Sequence, residues 1–238
     1  MIGTCYAEND EDQKAITALL NSIKANEGNL AALLQLGVCH TNEFSRERAF
    51  MFLQMWLEKH PKYSHVLQTT MIPKDLPISK KLEHYFVAAL QINEKDVELH
   101  SVLGVIYNVS KEFDKAEEAF RYATQLNPND FSLWNKLGAT MANSPREDGS
   151  KDAIFAYRKA LTIKPNYVRS WTNMGIAYSN QNAFKLSCKY YLKAISLSRN
   201  SEHIWEYLCY SFLSMGRKDL LELSKSRDVE LYREHFTF

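Results

Sequence analysis

Asparagines 42, 135, 143, 173 and 180, with Lys136 and Arg169, recur in segments that otherwise read as packing helices. Asparagine costs a helix about 0.5 kcal/mol against alanine, so its recurrence needs a reason. A primary amide carries both donors and an acceptor. A row of them can grip the N–H and C=O groups of an extended peptide without reading its side chains. Lys136 and Arg169 add cations suited to a carboxylate. A competing account applies to Asn42, Asn143 and Asn180, which fall near helix ends where asparagine tolerates the left-handed conformation and caps the helix. That account does not reach Asn135 or Asn173, which sit mid-helix.

The elements that position these residues follow from a 34-residue period. Copies aligned at Val97, Phe131 and Val168 carry Gly104, Gly138 and Gly175 at position 8. Position 7 holds Leu103, Leu137 and Met174, and position 4 holds His100, Trp134 and Trp171. After an insertion in the middle copy (SPREDGSK), position 24 is Phe120, Tyr157 and Tyr191. Position 27 is Ala123, Ala160 and Ala194, and position 32 is Pro128, Pro165 and Arg199. An earlier copy begins at Leu30, with Gly37, Ala49, Leu53, Trp56 and Pro61. One period further back places Gly3 at position 8, so the sequence opens inside a repeat. This is the tetratricopeptide pattern, in which small residues let two helices of a hairpin approach and a proline ends the second.

The expected fold is therefore all-α: a tetratricopeptide-repeat superhelix with one degenerate repeat and a C-terminal helical cap. Its expected parts are an N-terminal repeat lobe (1–62), a degenerate hinge repeat (63–96), a lobe of three repeats (97–200) and closing helices (201–238). In the degenerate repeat, YSHVLQTTMIPKDLP replaces the first helix, and Pro73 and Pro77 forbid a regular helix there. Decay of a repeat into a loop and a hinge between lobes both account for it.

At about 100° per residue, positions 4, 7, 8 and 11 share one side of a first helix, and positions 2, 6, 9 and 13 lie roughly opposite. The second stripe is not needed for packing the hairpin and is expected to line a concave surface. It reads Arg169, Asn173, Ile176 and Asn180 in one copy, and Ser132, Lys136, Ala139 and Asn143 in another, with Asn135 on its border. In the Leu30 copy it reads Ala31, Gln35, Val38 and Asn42.

Composition narrows the function. Apolar residues make up 45%, charged residues 24%, and the net charge is +1, which argues against nucleic acid or an anionic membrane as a bulk partner. The cysteines form no CxxC pair, the histidines fall in no metal-ligand spacing and no phosphate-cradling loop occurs. No catalytic residue, metal or cofactor is expected. No apolar run is long enough for a transmembrane segment, and the N-terminus lacks a secretory signal, which points to a cytoplasmic protein.

LWNKLGATMAN, NYVRSWTNMGIAYSN, LGVCHTNE and the closing IWEYL…MGRKDLLELSKSRDVELY resemble the cargo-binding tetratricopeptide domain of the receptors for type 1 peroxisomal targeting signals, the peroxin-5 family. The resemblance covers nearly the whole sequence. It implies a non-enzymatic protein-import receptor that binds C-terminal Ser-Lys-Leu-type tripeptides of peroxisomal or glycosomal matrix proteins in a channel between repeat lobes. It further implies that Asn42, Asn135, Asn143, Asn173 and Asn180 grip the peptide backbone and that Lys136 and Arg169 stand near the terminal carboxylate. Val38, Thr41 and Ala139 resemble the wall of the terminal-leucine pocket, and Glu43 resembles the acidic group facing the basic middle residue. The family's first repeat, and the N-terminal half whose motifs dock at the membrane, have no counterpart in the sequence. Docking-complex partners and cycling between cytoplasm and peroxisomal membrane are thus expectations for a longer receptor. The alternative is an adaptor for acidic chaperone C-termini. Such adaptors place Lys and Asn at positions 5 and 9 of one helix; here those pairs are Leu34/Val38, Ser101/Val105, Asn135/Ala139 and Thr172/Ile176.

Overall fold

A computed structural model describes residues 2–146, 148–199 and 201–238. Among them every regular element is helical. The helices are α1 (Ile2–Glu8), α2 (Asp12–Ala25), α3 (Leu30–Asn42), α4 (Arg46–Lys59), α5 (Val66–Thr69), α6 (Ile78–Ile92), α7 (Val97–Val109), α8 (Phe113–Leu126), α9 (Phe131–Asn143), α10 (Gly149–Ile163), α11 (Val168–Asn180), α12 (Phe184–Leu197), α13 (Glu202–Ser214) and α14 (Lys218–Leu223).

Each repeat is a hairpin whose close approach is set by position 8. A Cβ added to Gly104 would lie 2.6 Å from the Phe120 ring, and one on Gly138 would lie 2.6 Å from Tyr157. Both aromatics are buried, so neither has room to retreat. The small residues of the second helices (Ala116, Ala123, Ala153, Ala160) are 0% exposed and complete the contact. Three of the first helices, α3, α7 and α9, start at a side-chain cap. Asn29 accepts from the Ala32 N–H, Asp96 from Glu98 and Leu99, and Asp130 from Ser132 and Leu133.

The hairpin turn has a left-handed residue at position 15. Asp10, Phe44, Lys111, Asn182 and Gly216 all have φ between 54° and 68°. In each case the next N–H reaches back five residues: Ser45 to the His40 carbonyl at 2.8 Å, Glu112 to Tyr107 at 2.8 Å, Ala183 to Tyr178 at 2.9 Å. This is the Schellman arrangement, which satisfies orphan carbonyls at a helix end. The corresponding residue after α9 is Pro145, whose ring forbids positive φ, and the copy with the insertion uses another turn. The capping account of Asn42, Asn143 and Asn180 is thereby corrected. None of them is left-handed; each is the last residue of its helix, and in the α3 and α11 copies the left-handed position falls two residues later.

The chain divides into two compact units, residues 1–7 with 11–129, and 8–10 with 130–238. The division differs from one placed at the degenerate segment 63–96, because that segment is tied to its neighbours within the first unit. Tyr63 and Val66 are buried, and the Trp56 and Phe86 rings stack at 5.7 Å. Tyr63 Oη donates to Asp96 Oδ2, 2.5 Å away, on the residue that caps α7. Arg46 donates twice to the Val109 carbonyl (2.9 and 2.7 Å), so the Val97 repeat belongs with α3 and α4. Within 63–96, Pro73 lies outside any helix and Pro77 stands at the N-cap of α6, in line with the break expected there.

In the second unit the repeats starting at Phe131 and Val168 are closed by α13, α14 and 3-10 turns at Ser224–Ser226 and Val229–Tyr232. Trp205, Phe212, Tyr232 and Phe236 pack on the last hairpin. The Tyr232 hydroxyl donates to the Leu220 carbonyl at 3.1 Å, which satisfies that polar group within the layer of rings.

Candidate functional site

The sequence-selected residues fall into two clusters, one in each compact unit. In the first unit, Val38, Thr41, Asn42 and Glu43 occupy the last turn of α3 and its cap. Thr41 Oγ1 donates back to the Gly37 carbonyl at 2.8 Å, and Thr41 and Val38 are both half-buried. Asn42 Nδ2 donates to Asp12 Oδ2 at 3.0 Å. Glu43 accepts from Gln13 Nε2 on α2. A carboxylate at the C-terminal end of a helix sits at the unfavourable pole of the helix dipole.

In the second unit, α9 and α11 bring Asn135, Lys136, Arg169 and Asn173 together. Asn135 is 5% exposed, and its Oδ1 accepts from Ser170 Oγ (2.9 Å) and from Asn173 Nδ2 (3.1 Å). Ser170 is fully buried, so this node is a fixed part of the packing between the two first helices. Asn143 and Asn180 end these helices, exposed, and half-buried Ala139 lies one turn before Asn143.

The two cations differ in state. Arg169 Nη1 pairs with Asp10 Oδ1 at 2.9 Å, and His203 Nε2 stands 3.0 Å from Asp10 Oδ2. Burial works to raise the Asp10 pKa. It is outweighed by Arg169, by His203 and by a hydrogen bond from Thr172, which together hold it below the ordinary carboxylate value. Arg169 thus already faces a carboxylate of its own chain, a partner the sequence reading lacked. Lys136 is otherwise placed. Its Nζ donates to Ser132 Oγ at 2.5 Å, and no carboxylate lies within ion-pairing distance of it among the described residues. Desolvation pulls its pKa below the ordinary lysine value, and Arg169 adds to the fall. Asp130 pulls the other way without cancelling it. A desolvated ammonium without a counter-ion is a receptor for an anion.

Asp10, Asp12, Gln13, Ser170 and His203 escaped the sequence reading because they lie off the repeat stripe. Asp10 is a turn residue at position 15, in an acidic run with Glu8, Glu11 and Asp12, and nothing in the sequence links it to Arg169. No group of acidic, histidine or cysteine side chains among the described residues has the arrangement of a metal site. No described helix is long and apolar enough to cross a membrane.

Helical hairpins at a 34-residue period define a tetratricopeptide-repeat protein, and the tetratricopeptide repeat family matches residues 97–130 and 168–201. The chain belongs to the family of peroxisomal targeting signal receptors, as their tetratricopeptide region. It is 32% identical over its full length to the peroxisomal targeting signal receptor of Kluyveromyces lactis, covering 44% of that protein. It is 38% identical over its full length to the peroxisomal targeting signal 1 receptor of Dictyostelium discoideum, covering 38% of it. A further match, 44% identical over 51% of the chain and 16% of the relative, is peroxisome biogenesis protein 5 of Arabidopsis thaliana. The chain spans less than half the length of these relatives.

Proposed function

We propose that the chain is the cargo-recognition region of a type 1 peroxisomal targeting signal receptor and captures the free C-terminus of a Ser-Lys-Leu-type peptide, without catalysis. The observation that carries the reading is Lys136. A half-buried ammonium with only a hydroxyl as partner is costly on its own, and a peptide carboxylate would relieve that cost. Asn135 stands next to it, and Asn143, Asn173 and Asn180 continue along α9 and α11 as amides for the peptide backbone. Val38 and Thr41 supply apolar surface in the first unit and Ala139 in the second, and Glu43 supplies a negative partner for the middle lysine. Arg169 contributes through the electrostatic field around Lys136 while its guanidinium is paired with Asp10.

A ligand of three recognised residues binds typically near micromolar, about −8 kcal/mol. The test is a fluorescence anisotropy titration with a labelled peptide ending in Ser-Lys-Leu against the same peptide amidated at its C-terminus. The free acid binds and the amide does not; equal affinities for both would remove the basis of the reading. An acidic chaperone-type C-terminus, added as competitor, leaves the Ser-Lys-Leu isotherm unmoved. For the longer receptor, cargo delivery implies cycling between cytoplasm and the peroxisomal membrane.

A further inference from the structure

The first turn of α2 reaches the last turn of α3 in two places, Asp12 to Asn42 and Gln13 to Glu43. Asp12 is the more telling of the two. It is 8% exposed, and a buried carboxylate is costly unless its oxygens are hydrogen-bonded. Its position at the start of α2 recovers part of that cost, because the N-terminal N–H groups of a helix favour negative charge. A solvated acid would serve the helix as well. Burial beneath Asn42 therefore calls for a second role.

The chemistry of the pair supplies one. A carboxylate only accepts hydrogen bonds, whereas the asparagine amide donates from Nδ2 and accepts at Oδ1. The last torsion of asparagine is broad and roughly two-fold, so an exposed Asn42 would present either end. With Asp12 beneath it, Nδ2 must face α2 and Oδ1 must lie on the opposite side. The Asn135 node has no such constraint: Ser170 and Asn173 are neutral, and both can reverse their roles as donor and acceptor.

We propose that Asp12 is a positioning residue for peptide recognition, acting through Asn42 by fixing the orientation of its amide. The proposal rests on the peptide-binding reading above. It makes the first turn of α2, which lies outside the repeat stripe, part of the recognition apparatus.

The test is a double-mutant cycle on the whole chain, read by anisotropy with a Ser-Lys-Leu peptide and by thermal melting. Asp12→Ser keeps a helix-starting side chain too short to reach Asn42, and weakens the peptide at least about fivefold. In an Asn42→Ala background the same substitution changes affinity by less than about twofold, because the group it acts through is gone. Asp12→Asn, whose amide can donate as well as accept, no longer fixes the orientation of Asn42 and weakens the peptide about as much as Asp12→Ser. Full additivity of Asp12→Ser and Asn42→Ala overturns the proposal, as does unchanged affinity in Asp12→Ser. If Asp12→Ser does not fold, Asp12→Asn decides: a folded Asp12→Asn that binds like the parent overturns it. Failure of the parent protein to bind the peptide would instead overturn the peptide-binding reading itself.

Discussion

The two recognition clusters are built with opposite charge. On α3 the polar groups are Asn42 and Glu43, held by Asp12 and Gln13 of α2. On α9 and α11 they are amides around Lys136 and Arg169. A net charge of +1 hides this segregation completely. One cluster carries the chemistry that suits a cation and the other the chemistry that suits an anion. The clusters also differ in how firmly they are set. Arg169 has an internal counter-ion in Asp10, while Lys136 has none among the described residues, so the basic cluster keeps one cation in reserve.

Removing that cation gives the largest expected effect. Lys136→Met deletes a charge-assisted contact worth about 1.5–3 kcal/mol, so Ser-Lys-Leu affinity falls about 10- to 100-fold. Free and amidated peptides should then bind alike. Anisotropy titrations of both peptides check this, and a Lys136→Met protein that still prefers the free acid would shift the carboxylate contact to Arg169. Asn173→Ala comes next. It removes one donor to Asn135 Oδ1 together with the Asn173 amide, and about tenfold loss is expected with an unchanged melting temperature.

The depressed pKa of Lys136 gives two trends of opposite sign. In the ligand-free protein the folded state sheds this proton more readily than the unfolded chain. The penalty of the half-buried ammonium is fully present below the depressed folded pKa and is relieved as pH rises through it toward the ordinary lysine value of 10.5. This group's contribution to stability thus rises with pH. A peptide carboxylate favours the charged form, so affinity holds on the neutral side and falls as pH climbs through the same range. Melting curves and titrations from neutral to alkaline pH should show both trends, and Lys136→Met should flatten both. Glu43→Gln is expected to be milder. It lowers preference for lysine over norleucine at the middle peptide position by about two- to fivefold, the range of an exposed ion pair, measured by competition.

Much of this was legible in sequence, for a physical reason. Position 8 admits only glycine because an aromatic or leucine faces it, and each copy writes the same constraint again, so the hairpins and their polar stripe could be placed by counting. Gly104 against Phe120 and Gly138 against Tyr157 are direct cases. The partners of the stripe were not legible. Asp10 and Asp12 act across turns, at places where the pattern demands nothing. Arg169 read as a waiting cation because its carboxylate lies far away in sequence. The ties across the degenerate repeat were not legible either: the prolines at 73 and 77 mark a break in a helix, while Tyr63 and Arg46 hold the surrounding elements together.

The smallest effect concerns the turns that end the first helices, and it separates α3 from α9. Phe44 is 96% exposed at φ 55°, a bulky residue in a conformation that favours glycine. Relief of about 1–2 kcal/mol of left-handed strain is partly offset by the greater freedom of glycine in the unfolded chain. Phe44→Gly should therefore stabilise by about 0.5–1 kcal/mol, a rise in Tm on the order of 2 °C for a chain of this size. After α9 the equivalent position is Pro145, which cannot be left-handed, so Pro145→Gly relieves no such strain and gains only unfolded-state entropy. It should lower Tm slightly or leave it unchanged. Differential scanning calorimetry of both variants distinguishes the cases, and a rise in Pro145→Gly equal to that in Phe44→Gly would show that the left-handed turn is not what sets the difference.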